Sequence, residues 1–286
     1  MTEGILNSDH KLGGVAQTAR WTAASRARES RRPDRLFDDP LAALLAGPHA
    51  AALLRHFHTS RAADEGNPFL PIRTRWFDDF LRAKAGKTGH QVVGLGAGLD
   101  TRAHRLDWPD GTVIFEVDQA ALLAYKKERL STSASVPRCD CRTVPVNLGD
   151  DWESALMEQG FDPTAPTVWF AEGLLFYLPE PLAHQVVSQA VKLSAAGSGF
   201  AADLIGTGIF RLPYIRPFLD RLNEAGSPWV FGTDDPRGFV ERCGWRVTQV
   251  TEPGRPGADY GRWPKSASPS NLPDLPRSYL VAAELP

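Results

Sequence analysis

The stretch Gly94-Leu95-Gly96-Ala97-Gly98-Leu99-Asp100 decides the fold of this 286-residue chain. It continues an apolar run at 92–93, and the two together predict a β-strand that ends in a glycine-rich turn. Glycine accepts the positive φ of a sharp turn, and without a Cβ it lets a ligand come close to the backbone. The stretch therefore predicts either a nucleotide-binding turn or an ordinary tight turn after the strand.

The spacing of the glycines separates two kinds of nucleotide site. Dinucleotide sites carry the pattern G-x-G-x-x-G, in which the third glycine lets the following helix pack against the strand. Counted from Gly94 the third glycine would fall on Leu99, and counted from Gly96 it would fall on Thr101. The spacing therefore disfavours a nicotinamide-dependent oxidoreductase, which stays an alternative, and suits a ligand without a pyrophosphate.

Short apolar runs alternate with helical segments along the rest of the chain. Strands are predicted at 92–95, 113–117, 144–146, 167–170, 200–204, 246–250 and 279–283. Helices are predicted between most of them, at 120–129, 152–158, 181–195, 214–224 and 236–243. This alternation indicates an α/β fold with a mainly parallel sheet and helices on both faces. The last two strands are expected to form an antiparallel hairpin at one edge of the sheet.

The first third of the chain is predicted to be helical. Segments 16–29, 41–46 and 71–85 have the composition and spacing of helices. We therefore expect residues 1–85 to form a helical cap on a domain at 86–286, with both parts in a single structural unit. The stretch 253–276 is rich in Pro, Gly and Ser and is expected to be a long loop that serves as a lid or a binding loop.

An acidic pair closes the second predicted strand. Asp118 follows the glycines by about 20 residues, where a carboxylate can accept hydrogen bonds from ribose hydroxyls. Glu116 lies two residues earlier on the same face and is the second candidate for this role. For either acid alone, a solvated strand end is an equally good interpretation. Together with the glycine turn, the pair predicts a nucleoside site.

The chain carries GAGLDTR at 96–102, FEVD at 115–118, AEGLLFYL at 171–178, IRTRWFDD at 72–79 and ESRRPD at 29–34. Together these motifs resemble those of the leucine carboxyl methyltransferase-like family. More closely, they are similar to its bacterial branch of S-adenosylmethionine-dependent O-methyltransferases. The resemblance runs from about Ala16 to the last strand, and its motifs are specific in combination only. It implies a class I methyltransferase fold, with a seven-stranded sheet and an N-terminal helical lid.

The resemblance also implies roles in binding the methionine part of the cofactor. Arg73 is expected to bind the methionine carboxylate, because a guanidinium matches a carboxylate with two parallel hydrogen bonds. Arg75 is the alternate for this role, and both could instead be surface charges on a helix. Gly96 and Gly98 are expected to lie against methionine and ribose. Glu172, at the end of the fourth strand, is expected to meet the amino group or its water.

The nucleoside part has its own implied residues. Asp118 is expected to hold the ribose. Many relatives carry Asp where this chain has Asn147, and that Asp accepts a hydrogen bond from the adenine amino group. The Asn147 carbonyl can accept the same hydrogen bond, so binding should survive. Ala97, Gln119 and Leu148 complete the predicted binding set.

The acceptor is less well defined by the sequence than the cofactor. The resemblance implies methyl transfer to a carboxylate or hydroxyl of a small, polyketide-like natural product. Methylation of a protein C-terminal carboxylate and a non-catalytic binding role are the alternatives. A carboxylate is already ionised at neutral pH, whereas an alcohol or phenol benefits from a general base. No His/Asp pair identifies such a base, which favours a carboxylate.

Some side chains could line the acceptor site or could simply pack. The N-terminal helices and the loop 206–217 are expected to cover this site. The histidines that could line it are His10, His56 and His58, and His104 is expected to pack rather than react. The aromatic side chains that could form an apolar wall, or belong to the core, are Trp21, Phe210, Tyr214, Phe218 and Trp229.

Composition narrows the class of protein. The chain has 32 basic and 34 acidic residues, and this balance argues against nucleic acid as a partner. The first thirty residues do not resemble a signal peptide, and no apolar run is long enough for a bilayer. Three cysteines indicate a reducing, cytoplasmic setting, and Cys139-Asp140-Cys141 is too closely spaced for zinc. We expect a small-molecule partner, no metal, and either a monomer or a homodimer.

Overall fold

The computed structural model describes residues 13–57, 68–88, 91–263 and 277–286. His10, His58 and the part of the predicted loop at 264–276 lie outside the described residues. The helices of the described part are α1 Gly13–Ser30, α2 Ala42–Ala46, α3 Ala50–Phe57, α4 Phe69–Thr88, α5 Arg102–Arg105, α6 Ala120–Ser131, α7 Trp152–Glu158, α8 Glu180–Lys192, α9 Arg216–Glu224 and α10 Pro236–Arg242.

The described strands form one seven-stranded sheet, as the resemblance implied. They are β1 Gln91–Leu95, β2 Val113–Asp118, β3 Asp140–Pro145, β4 Thr167–Ala171, β5 Gly199–Ile205, β6 Arg246–Thr251 and β7 Ser278–Glu284. Their order across the sheet is β3-β2-β1-β4-β5-β7-β6. The first five are parallel, and β7 runs antiparallel to both β5 and β6. The predicted hairpin of the last two strands is confirmed, with β7 inserted between β5 and β6.

Strand β3 begins earlier than predicted. The apolar pattern placed it at 144–146, whereas its pairing with β2 starts at Asp140, opposite Val113. The reason is its position at the edge of the sheet: Asp140, Arg142 and Thr143 are polar and at least partly exposed, so they lack the apolar signal of an inner strand. Backbone pairing therefore extends the strand where side-chain hydrophobicity does not.

The core lies on both faces of the sheet, which confirms the predicted layers. One face packs against α4, whose buried residues Ile72, Phe77 and Leu81 meet the sheet at Val92 and Phe170. The opposite face packs large aromatic side chains from the helices and strands, among them Trp152, Trp169, Phe200, Phe239 and Trp245. Since α4 lies on the sheet, the predicted boundary at residue 85 falls within a core helix, and the division into cap and domain stays a prediction.

Helix α1 contacts both α2 and α3, and α3 also contacts α9. Helix α1 is rich in alanine, and Ala16, Ala23 and Ala24 are buried against α2 and the chain around Leu99. Their small side chains let the helix axes approach closely. None of the described helices is both long and apolar enough to cross a membrane.

The topology fixes where a ligand can bind. Strand β1 lies between β2 on one side and β4 on the other, so the connections that leave β1 and β4 diverge to opposite sides. In open parallel sheets this divergence opens a crevice at the carboxyl ends of the strands. The glycine turn after Leu95 and Asp118 at the end of β2 both lie at that edge.

Candidate functional site

One cavity of about 360 Å³ lies at the carboxyl ends of β1, β2 and β4, beneath α1. Its volume falls within the range of about 300–1,000 Å³ that is typical of small-molecule pockets. All nine of the predicted binding residues contribute to its lining. They are Arg73, Gly96, Ala97, Gly98, Asp118, Gln119, Asn147, Leu148 and Glu172.

The glycine turn is required by its backbone conformation and its close neighbours. Gly96 has φ of 63° and Gly98 has φ of 53°, values that residues other than glycine rarely adopt. A Cβ on Gly96 would come within 2.8 Å of Leu174 Cδ1. A Cβ on Gly98 would extend toward Ala19 Cβ, 3.8 Å away on α1, and so into the space between the turn and the covering helix.

Asp118 holds the glycine turn to the end of β2. One carboxylate oxygen accepts a hydrogen bond of 2.6 Å from the Gly98 backbone N–H, and the other accepts one of 2.6 Å from Gln119 N–H. Burial raises the pKa of Asp118, and these two hydrogen bonds oppose the rise. Each oxygen retains a second lone pair. The carboxylate can therefore accept hydrogen bonds from a ligand while it fixes the turn.

Glu116, the second candidate, is directed elsewhere. Its carboxylate is buried and accepts a hydrogen bond of 2.6 Å from Lys126 Nζ on α6. Burial raises the pKa of Glu116, and the ammonium of Lys126 opposes the rise. Glu116 is not part of the cavity lining, so the geometry places Asp118, and not Glu116, at the site.

Arg73 enters the cavity from α4. Its Nε donates to Glu172 Oε1 at 3.1 Å, and its Nη1 donates to Asp203 Oδ2 at 3.0 Å. Burial alone would lower the pKa of Arg73, but the two carboxylates outweigh it and raise the pKa. Arg75 instead binds Asp79 and the Leu36 carbonyl, and it lies outside the described lining. Arg73 and Arg75, two residues apart in the sequence, therefore lie on different faces of α4.

A second arginine at the cavity was missed by the sequence analysis. Arg102 Nη2 lies 2.7 Å from Glu172 Oε2, and its Nε donates to Asp78 Oδ1 at 2.7 Å. It also pairs with Asp100. Burial would raise the pKa of Asp100, but Arg102 lowers it to about 2. Arg102 is the last residue of the GAGLDTR motif. An arginine directly after the glycine turn was the sequence signal that could have identified it.

The far end of the cavity carries the Asn147 side chain. Asn147 is exposed and its Nδ2 donates to Asp150 Oδ2 at 3.0 Å, which leaves its carbonyl oxygen as the end of the amide that can accept. Leu148 beside it is buried. Apolar side chains from α6 and α8, Leu122 and Leu182, line the cavity nearby.

Helix α1 is fastened over the glycine turn. Thr18, Ala19, Thr22 and Arg26 all line the cavity. Arg26 Nη2 donates to the Leu99 carbonyl at 2.6 Å, and its Nε donates to Asp39 Oδ2 at 2.8 Å. The same Asp39 oxygen accepts from Thr101 Oγ1 at 2.7 Å. Helix α1 is therefore anchored to the turn by charged and polar contacts.

Most of the aromatic side chains that could form an acceptor wall or belong to the core pack against other aromatic or apolar side chains. Trp21 and Phe218 have ring centroids 5.9 Å apart, and Phe218 and Trp229 have centroids 5.1 Å apart. Phe210 packs against the small cluster around Ile209, and Tyr214 is exposed. The structure thus supports the packing interpretation for all of these residues except Tyr214, and the described cavity lining contains none of the five.

The two described candidate histidines also lie away from the cavity lining. His56 packs edge-on against Phe57, with ring centroids 4.8 Å apart. His104 Nδ1 lies 3.1 Å from Ser135 Oγ. Burial lowers the pKa of both histidines. Both histidines therefore contact other side chains outside the described cavity lining.

Comparison with solved structures identifies the fold. A protein of Thermobifida fusca provisionally named as a methyltransferase has a TM-score of 0.57 at 18% identity, over 93% of this chain and 94% of that one. A duf574 family protein of Streptomyces avermitilis has a TM-score of 0.55 at 16% identity, over 83% of this chain and 97% of that one. The fold is that of a class I methyltransferase.

Sequence comparison identifies the family. The profile of the leucine carboxyl methyltransferase family matches residues 19–191. A Frankia alni protein, provisionally named as an S-adenosyl-L-methionine-dependent methyltransferase, is 40% identical over 87% of this chain and 88% of its own length. A Rhodococcus jostii protein with a similar name is 38% identical over 96% and 97%. The chain belongs to the leucine carboxyl methyltransferase family and is an S-adenosylmethionine-dependent methyltransferase.

Proposed function

We propose that this protein transfers a methyl group from S-adenosylmethionine to an oxygen atom of a small acceptor of the polyketide-like class. A carboxylate is the favoured acceptor group, and a hydroxyl is the second. The observation that carries the proposal is the order of the polar groups across the sheet edge. Asn147 follows β3, Asp118 ends β2, the glycine turn follows β1 and Glu172 follows β4, all along one cavity.

This order matches the linear arrangement of the cofactor. The Asn147 carbonyl would accept from the adenine amino group, and Asp118 would accept from the ribose hydroxyls. Arg73 would bind the methionine carboxylate, and Glu172 would accept from the amino group. The methyl carbon on the bound sulfonium is electrophilic, which is the chemistry that the cofactor supplies. The residues of the chain align the partners and exclude water, so proximity is their main contribution.

The protonation states of the lining favour an acceptor that is already ionised. Asp100 and Glu172 are bound to arginines, and Asp118 is bound to two backbone N–H groups. Burial raises the pKa of Tyr177, so its phenol stays protonated at neutral pH and does not act as a base. The described lining contains no histidine. An acceptor carboxylate needs no base, whereas an alcohol would need one.

The covering helix supports a small acceptor over a protein tail. Four residues of α1 line the cavity above the glycine turn, and Arg26 fastens the helix there. A protein C-terminus would need an open cleft for several residues of extended chain. Methylation of a protein C-terminal carboxylate therefore stays the second candidate, and the description of the family names a leucine carboxyl group.

Calorimetric titration tests the cofactor. The purified protein is titrated with S-adenosylmethionine, S-adenosylhomocysteine and NADH. Micromolar binding of the first two without NADH supports the proposal. Binding of NADH alone refutes it, and binding of none of the three indicates a non-catalytic protein.

Isotope transfer tests the acceptor group. The protein is incubated with methyl-labelled S-adenosylmethionine and a panel of aromatic and polyketide-like carboxylic acids, each with a matched alcohol or phenol. Mild alkali releases labelled methanol from a methyl ester and leaves a methyl ether intact. Alkali-labile label supports a carboxylate acceptor. Label that resists alkali points to a hydroxyl, and label found only on protein points to the second candidate.

A further inference from the structure

We propose that Asp203 is the positioning residue that aims Arg73 at the methionine carboxylate of the cofactor. This inference rests on the role proposed above for Arg73. Asp203 lies on β5 and is not part of the described cavity lining, so it would act through Arg73 and not by contact with the ligand.

The sequence around Asp203 makes its charge conspicuous. It lies in the run Phe200-Ala201-Ala202-Asp203-Leu204, whose other members are apolar, and its exposed fraction is 1%. Burial of an ionised carboxylate is costly unless paired and hydrogen-bonded. A chain that keeps a carboxylate within an inner strand must therefore provide it with specific partners.

Both oxygens of Asp203 have such partners. Oδ2 accepts from Arg73 Nη1 at 3.0 Å, and Oδ1 accepts from the Gly173 backbone N–H at 2.6 Å. Gly173 follows Glu172 directly, and Glu172 Oε1 accepts from Arg73 Nε at 3.1 Å. The Asp203 carboxylate therefore fixes two parts of the site. It holds the Arg73 guanidinium directly, and it holds the turn that carries Glu172, the other carboxylate that binds Arg73.

This arrangement restricts an otherwise flexible side chain. The backbone of Arg73 belongs to α4. Its guanidinium is held on two edges by Glu172, which follows β4, and by Asp203 on the neighbouring strand β5. Gly173 has φ of 68°, and a Cβ there would lie 3.1 Å from Arg73 Nη1, so the turn and the guanidinium are closely packed. Fixing the side chain before binding removes an entropy cost that binding would otherwise bear.

The test compares two ligands that differ in the group that Arg73 would bind. S-adenosylhomocysteine carries the amino-acid part, whereas 5′-methylthioadenosine lacks it. In Asp203→Asn, the amide can still accept from Gly173 but lacks the charge that holds Arg73. We expect affinity for S-adenosylhomocysteine to fall by about tenfold or more, as for loss of a hydrogen bond to a charged group, with affinity for 5′-methylthioadenosine unchanged.

The controls separate positioning from general damage. Asp234→Asn removes an exposed carboxylate that binds Thr207 in the loop after β5, and it should bind both ligands as the native protein does. If Asp203→Asn does not fold, Asp203→Glu takes its place. This variant keeps the charge and displaces it by one methylene, and it should selectively weaken binding of S-adenosylhomocysteine. Equal weakening of both ligands in these Asp203 variants overturns the proposal.

A parallel variant distinguishes this inference from the function on which it rests. Arg73→Ala should also weaken binding of S-adenosylhomocysteine and leave binding of 5′-methylthioadenosine unchanged. If Arg73→Ala discriminates between the ligands and the Asp203 variants do not, only the positioning role fails. If Arg73→Ala does not discriminate, the carboxylate role of Arg73 fails and the positioning role fails with it.

Discussion

Arg102 Nη2 lies 2.7 Å from Glu172 Oε2, while Arg73 Nε lies 3.1 Å from Glu172 Oε1. One carboxylate thus joins the start of helix α5 to helix α4. The same network continues through Asp78, which binds Arg102 and Arg105 with oxygens 2.6 to 2.7 Å from their nitrogens. Because these side chains are nearly all buried, each charge depends on its partners for stability.

Loss of Arg102 should therefore destabilise the protein. Arg102→Gln leaves Asp78, Asp100 and Glu172 with fewer cationic partners, and removing one member of a buried ion pair costs about 3–5 kcal/mol. The free energy of unfolding in urea measures the effect. As the control, Arg138→Gln breaks an exposed pair with Asp107, which should cost no more than about 1 kcal/mol. Similar losses in the two variants would contradict the network.

Arg73 and Arg75 should differ in their effect on cofactor binding. Arg73→Ala should weaken binding of S-adenosylmethionine by about 1.5–3 kcal/mol, the range for a hydrogen bond to a charged group. Arg75→Ala should leave it unchanged, because Arg75 binds Asp79 and Leu36 away from the cavity. Calorimetric titration of both variants checks this. A loss in Arg75→Ala alone would exchange their roles.

Asp118 should be required for binding of the nucleoside. Asp118→Ala removes the acceptor for the ribose and for the Gly98 N–H, so we expect affinity for S-adenosylmethionine to fall by about 1–3 kcal/mol. Adenosine, which keeps the ribose, should lose affinity as well. Asp107→Ala, at an exposed carboxylate, serves as the matched control. Native-like affinity of Asp118→Ala in titration would exclude its role at the ribose.

The stability that Asp100 contributes should depend on acid. Its pKa in the folded protein is about 2, below the ordinary value of 3.8, because Arg102 outweighs the opposite effect of burial. A depressed carboxyl pKa stabilises the folded state above the unfolded pKa, and this contribution is lost as the pH falls through the folded pKa. The difference corresponds to about 2 kcal/mol.

Asp100→Asn removes this contribution and provides the measurement. Its free energy of unfolding should be lower than that of the native protein at pH 7, and the difference should shrink between about pH 4 and pH 2. Urea titrations at several pH values give both curves. A difference that stays constant over that range would show that the charge of Asp100 does not stabilise the folded protein.

The sequence by itself determined the strand, the glycine turn and the acidic end of β2, because each depends on residues close together in the chain. Apolar runs marked the inner strands, and the carboxyl ends of parallel strands meet at one edge. The resemblance to the family added residues as distant as Asn147 and Glu172 to the same predicted site, and the cavity lining contains both.

Only the tertiary structure decided which charged groups meet. Arg73 and Arg75 are alike in sequence, and the packing of α4 alone turns one into the cavity and the other away. Asp203 and Arg102 gained their partners through contacts between distant strands and helices. Likewise β7 entered the sheet between β5 and β6 by backbone pairing across the fold. Such contacts depend on which surfaces pack together, and local sequence patterns do not encode that choice.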